Sequence, residues 1–190
     1  MLDIFTVCRA AHYPKFLRSG VFDEEALLQF DKMQDGRTYA MSVASRLICR
    51  TDGNIHKYGR DAADKKNQRF AAAKGRAPTP TTEETYYVGF YEFSYNELIS
   101  IKMDYYFVEC HWEPEHGQVC HYQVEFRRTR DSDVTTTTKI GLQQDRQAAT
   151  NAIFSLLHGP VRYIDERYEE LKDWLEQIEL KSALPIARAA

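Results

Sequence analysis

The stretch ECHWEPEHGQVCHY, residues 109–122, sets two Cys-His pairs and three glutamates around one proline-glycine turn. Thiolate, imidazole and carboxylate are the groups that hold zinc, and a zinc site needs three or four of them converging on one point. Pro114 suits the first central position of a type I turn, and Gly117 suits a left-handed position closing a four-residue loop. That loop sets a ladder in which Trp112 faces Val119, His111 faces Cys120, Cys110 faces His121, Phe107 faces Val124 and Tyr105 faces Phe126. Tyr105, Phe107, Tyr122, Val124 and Phe126 then share an apolar face, as a half-buried ribbon requires. The metal-binding types split in this register: Cys110 and His121 go to one side, His111 and Cys120 to the other with Glu109 and Glu113. Two ligands per face do not complete a site. The spacing is no C-x-x-C knuckle, and Pro114 prevents HWEPEH from acting as a helical His-Glu-x-x-His motif. The expectation is a plain hairpin without metal or other cofactor; if a metal binds, His111, Glu113 and Cys120 are the residues to hold it.

A second group with chemical potential lies in the amino-terminal half: Arg9 and His12 after the first strand, Tyr39 beyond them, and the run His56-Lys57-Tyr58-Gly59-Arg60. An arginine, a histidine and a tyrosine can bind a phosphate and move a proton, as in ADP-ribosyl transfer. A small transferase or hydrolase built on Arg9, His12 and Tyr39 is therefore one reading, although nothing in the spacing brings the three together. No G-x-S-x-G elbow, Walker loop, dinucleotide fingerprint or kinase set occurs.

Charge supplies a third signal. The net charge is −3, which excludes a globally basic nucleic-acid binder, but residues 56–76 carry seven Lys or Arg against two Asp. Residues 161–180 carry the opposite bias, seven Asp or Glu against three Lys or Arg. Lys57, Arg60, Lys65, Lys66, Arg69, Lys74 and Arg76 could bind phosphates without sequence preference or grip an acidic protein, and the acidic segment could grip a basic one. The plainer alternative is two solvated faces, or two faces that meet each other.

The elements that must position these groups follow from periodicity. Residues 4–9 read as a strand, and Asp23, Glu24 and Glu25 followed by Ala26, Leu27, Phe30 and Met33 read as a capped helix. Tyr39, Val43 and Leu47 repeat every four, which predicts a second helix over 38–49. Residues 61–74 have the alanine and lysine content of an exposed helix, and 75–84 form a mobile loop. From Thr85 the period becomes two, predicting strands at 85–95, 99–111, 119–129 and 134–140 joined as a meander, with half of the chain's aromatics on a face packed against helices. A helix over 142–157 precedes a second one starting at Pro160. In that second helix Val161, Ile164, Tyr168, Leu171, Leu175 and Ile178 form a heptad seam open to homodimer formation.

The whole reads as one α+β domain: an amino-terminal strand and helices, then a four-stranded antiparallel meander packed against a C-terminal helical hairpin. No apolar run approaches the length of a membrane span, no signal peptide is visible, and four scattered cysteines in a chain of 190 residues suggest reduced thiols and a cytoplasmic address. The expected function is a non-enzymatic interaction protein of the adaptor, inhibitor or immunity type, working through charged surfaces on another protein. A nucleic-acid-binding accessory role using residues 57–76 is the first alternative, and the transferase or hydrolase the second.

Overall fold

The structure is a computed structural model that describes residues 6–14, 17–18, 21–22, 27, 31–32, 39–101, 106–112, 119–128 and 139–178. Its centre is β1 (Thr6–Tyr13), which pairs antiparallel with β5 (Tyr39–Ser45) on one side and β6 (Tyr86–Ser94) on the other. Beyond β5 lie β8 (His121–Arg128) and β7 (Tyr106–Trp112); beyond β6 lies β9 (His158–Arg162). The short β4 (Asp31–Lys32) also pairs with β5, and β2 (Leu17–Arg18) with β3 (Val21–Phe22) make a separate ribbon. The helices are α1 (Arg46–Cys49), α2 (Asp52–Lys74), α3 (Tyr95–Ile99), α4 (Lys139–Leu156) and α5 (Lys172–Gln177), with a 3-10 turn over Glu166–Leu171. The α+β class and the antiparallel sheet are as the sequence predicts. The meander is not, because β1 and β5 separate β6 from β7 and β8.

Helices cover both faces of the sheet. On one, Tyr86, Val88, Tyr91 and Phe93 of β6 pack with Ala11, Met41, Val43, Val124 and Phe126, and with Ile153, Leu157, Leu175 and Ile178 from α4, α5 and the residues just after each. Removing each of these large side chains from water is worth about 1.5–3 kcal/mol. On the other face Cys8, Ala10, Ala44, Tyr87 and Phe90 meet Ile55, Tyr58 and Ala63 of α2. A register shift at Gly89 lets Tyr87 and Phe90 share that second face. Gly89 holds φ at +144°, and a side chain there would run into the Val161 carbonyl of β9. Every residue from Tyr86 to Phe93 is buried, which confirms the packing expected of this aromatic stretch.

Several predicted elements change. Residues 39–45 are strand, not helix: β5 is covered on both faces, so Ala40, Met41, Val43, Ala44 and Ser45 are all buried and its apolar run has no readable period. Of the helix expected from Asp23 through Met33, Leu27 is the one residue of 23–30 described and it is helical, but Asp31–Lys32 are strand β4, and Met33 lies outside the described residues. Of the strand expected at 99–111, Ile99 instead ends the short helix α3, whose cap is the Ser94 hydroxyl; residues 102–105 lie outside the described residues, and β7 takes up the remainder from Tyr106. Where a strand was predicted over 134–140, α4 is already under way at Lys139, and 129–138 lie outside the described residues. Pro160 sits in β9, an edge strand, where a missing N–H leaves no ladder bond unmade. The heptad seam does not form, yet Ile164, Tyr168, Leu171, Leu175 and Ile178 all pack on the apolar face, so the pattern marked core residues correctly and their element wrongly. The continuous helix on which a homodimer through 161–180 was predicated is absent among the described residues.

The predicted helix over 61–74 is present and starts earlier, at Asp52, capped by the Thr51 hydroxyl and ended by Gly75 in the left-handed conformation. Its first half is not exposed: Ile55, Tyr58, Gly59 and Ala63 are buried, and a Cβ at Gly59 would collide with the Tyr87 ring. Residues 75–84 form turns without helix or strand, and their side chains are tied together. Arg76 grips Glu83 through two nitrogens at 2.6 and 2.7 Å, holding that carboxyl down at about 2, and the Thr79 amide donates to Glu83 at 2.9 Å. No described helix is long and apolar enough to cross a membrane.

Candidate functional site

The seven cations of the basic segment are carried by α2 and the loop after it, and the fold divides them. Lys57 pairs with Asp61 one turn on, at 2.7 Å. Arg60 lies over the Tyr163 ring and 3.9 Å from the buried Asp165, while Arg76 is held by Glu83. The Lys66 ammonium donates to His12 Nδ1 at 3.3 Å. Lys65, Arg69 and Lys74 have no ion-pair partner among the described residues, and Arg69 and Lys74 are exposed. The helix thus turns an internally paired first half to the sheet and carries its uncommitted charge on the second half.

The basic and acidic segments do meet, at one place. Arg167 reaches Asp64 of α2 at 3.0 Å and Asp165 at 2.6 Å, beside the Arg60–Asp165 contact. Burial pushes the Asp165 carboxyl up, but hydrogen bonds from the Arg167 side chain and backbone outweigh it and keep it below the ordinary range. Glu166, Glu169, Glu170, Asp173 and Glu176 stay exposed, so much of the acidic run faces outward.

Beneath the first half of α2 lies a group of which the sequence pointed only to His56. Arg46 of α1 forms ion pairs with Glu92 of β6 and, at 2.8 Å, with Asp52, and it lies over the Phe90 ring. The Cys8 thiol donates to Glu92 at 3.7 Å. His56 shares a 2.9 Å hydrogen bond with the Tyr87 hydroxyl and stacks on Tyr163, ring centroids 4.4 Å apart. Burial lowers the His56 pKa and pushes those of Tyr87 and Cys8 up. A protonated, buried thiol is no nucleophile, and Cys110, pushed up to about 12 by burial, is none either. These residues come from β1, α1, α2, β6 and the residue after β9, and no local motif joins them.

Arg9 and His12 point to opposite faces of β1. Arg9 donates to the backbone carbonyls of Leu27 at 2.8 Å and Ser42 at 2.6 Å. His12 bonds Gly59 O through Nε2 at 3.0 Å and Lys66 through Nδ1, on the α2 side. Of Tyr39 the backbone is described, opposite Phe126 and Lys32. The arrangement ties Arg9 and His12 to backbone carbonyls on two different surfaces instead of bringing them to one centre.

The turn of residues 109–122 closes in a register three residues away from the expected one: Trp112 faces Tyr122, His111 faces Gln123, Cys110 faces Val124 and Glu109 faces Glu125. An odd shift turns each side chain of β7 to the other face. Phe107 is consequently 40% exposed, and Val108 and Cys110 take its place against the apolar core. The expected metal set does not assemble: Glu113 lies outside the described residues, and Cys120 is bonded to Cys49 across 71 residues, because α1 follows β5 directly and ends beside the start of β8. Reduced thiols were expected at both, and the argument for a reducing compartment loses that support. His111 instead meets Glu109 at 3.0 Å and Glu125 at 3.7 Å.

No protein-family model, no curated protein and no solved structure matches the chain.

Proposed function

We propose that the protein is a non-enzymatic interaction protein that engages an acidic partner protein through the outward side of the second half of α2. The observation that carries this reading is the division of the basic segment: Lys57, Arg60 and Arg76 are committed to carboxylates of the fold, while Lys65, Arg69 and Lys74 are left without one among the described residues. Lys65 and Arg69 sit one turn apart on the helix, and holding two uncommitted cations there carries an electrostatic cost that a partner's carboxylates would relieve; such a surface steers association more than it sets affinity. The adaptor, inhibitor or immunity role fits a surface of this kind, as does a cytoplasmic partner.

The test is capture of partners by the immobilised protein from an extract of its own host, identified by mass spectrometry and repeated with Lys65→Glu/Arg69→Glu/Lys74→Glu. An acidic protein retained at low salt, released as salt rises and lost with the triple reversal supports the reading. Retention unaffected by the reversal overturns it. Binding of a mixed-sequence DNA or RNA duplex with a steep salt slope, lost in the same variant, would instead give the cations to nucleic acid.

A further inference from the structure

We propose that Glu109, His111 and Glu125 form a surface site for one divalent transition-metal ion, zinc by preference, on the β7–β8 ribbon. The proposal is independent of the partner-binding reading above. One oxygen of each glutamate and one imidazole nitrogen lie within 4.8 Å of one another, close enough for small side-chain rotations to bring them round a single ion.

The ladder explains why a cation belongs there. Glu109 and Glu125 are directly opposite each other, an arrangement in which like charges repel. Glu125 is only 6% exposed, so water does little to screen it. Among the described residues the cation paired with both is Arg127, 3.0 Å from Glu109 and 2.8 Å from Glu125: one positive charge for two carboxylates. With a neutral imidazole, the form that ligates, the group retains a net negative charge. A second feature points to the same place. Gln123 is the ladder partner of His111 and so shares its face, and its Oε1 is buried with no hydrogen-bond partner among the described residues. A buried amide oxygen left unsatisfied is costly, and a metal or its bound water would satisfy it.

The donor set selects the ion. Magnesium and calcium take oxygen ligands, whereas an imidazole nitrogen beside two carboxylates suits zinc and its neighbours. Three protein ligands would leave one position of a tetrahedron to water. Arg127 occupies the space between the carboxylates in the metal-free form and, being 45% exposed, can swing into solvent when an ion enters.

Isothermal titration of the untagged protein with ZnCl2, and separately with MgCl2, tests this. The expected result is saturation at one zinc per chain with no comparable magnesium binding. His111→Ala and Glu125→Gln should each weaken zinc at least about tenfold, since losing even an outer partner of a site costs about that, and Arg127→Gln should tighten it several-fold by removing the competing charge. His111 is 42% exposed, so its replacement leaves the fold intact and remains informative even if Glu125→Gln does not fold. Absence of saturable zinc binding, binding unchanged in His111→Ala, or binding weakened in Arg127→Gln would each overturn the site.

Discussion

The two faces of the sheet are built from different materials. Under α4 and α5 the contact is made by aromatic and aliphatic side chains, Tyr86, Tyr91, Phe93, Met41, Leu157 and Leu175 among them. Under α2 a smaller apolar cluster is threaded with charge: Arg46 against Glu92, the Cys8 thiol on the same carboxylate, His12 under Lys66, and His56 between Tyr87 and Tyr163. Both faces exclude water, but the first does so by matching shapes, whereas the second must also satisfy every polar group it covers. Every candidate binding group that the structure brings together lies on the second side. A binding surface can therefore vary there while the aromatic side keeps the sheet in one piece.

The difference can be tested by removing one side chain from each face. Phe93→Ala, in the aromatic face, should lower unfolding free energy by about 3–5 kcal/mol, through lost transfer energy and the cavity left behind. Glu92→Ala should cost about 3 kcal/mol by a different route, since it leaves the largely buried Arg46 charge with the half-exposed Asp52 as its remaining counter-ion. The discriminating experiment is the double variant Arg46→Met/Glu92→Leu in urea denaturation. An apolar pair of similar volume should recover most of the loss. If the double variant stays as unstable as Glu92→Ala, the ion pair is not what the α2 face depends on.

The sequence was legible where a local rule acted alone. Residues 61–74, bounded by Gly75, gave a helix, the aromatic-rich run Tyr86–Ser94 gave a strand, and Gly-Arg-Ala-Pro-Thr-Pro gave a loop. It misled where tertiary burial overrode period, as in β5, whose two covered faces imitate a helical repeat, and at 161–178, where core positions fell by chance at heptad spacing. At the hairpin an odd register error exchanged the faces of β7 and put His111 with the wrong partners. Turn chemistry at Pro114 and Gly117 sets the register only if the ladder closes right beside the loop, and the described ladder, with Trp112 opposite Tyr122, is not the one that such a closure implies. The nearness of His111 to Glu109, 3.0 Å, could be read locally because the two are two residues apart on one strand. Glu125 could not be found without the register, nor Glu92 and Arg46 without the topology.

A smaller effect separates the faces by pH. Burial holds the His56 imidazole below its usual pKa, so the folded protein binds its proton less readily than the unfolded chain does. Stability contributed by neutral His56 is present above the unfolded value of about 6.5 and is lost as pH falls from there through the folded value. Melting temperatures at pH 7.5, 6.5 and 5.5 should therefore decline more in the wild type than in His56→Phe, which keeps the stack on Tyr163 and cannot take up a proton. Parallel declines would mean that the imidazole does not couple to folding.

The smallest effect is the one that bears on function. Charge reversal at Lys65 and Arg69 should change stability by no more than about 0.5 kcal/mol, because neither has an ion pair to lose among the described residues. Reversal at Arg167 should cost more, since it removes the contacts to Asp64 and Asp165 that fasten α2 to the segment after β9. Thermal unfolding of Lys65→Glu/Arg69→Glu beside Arg167→Glu measures the contrast directly. If the first pair proved as destabilising as the second, those cations would be serving the fold, and the outward side of α2 would lose its claim to a partner. If only Arg167→Glu destabilises, Lys65 and Arg69 carry charge that the fold does not need, which is the condition a binding surface has to meet.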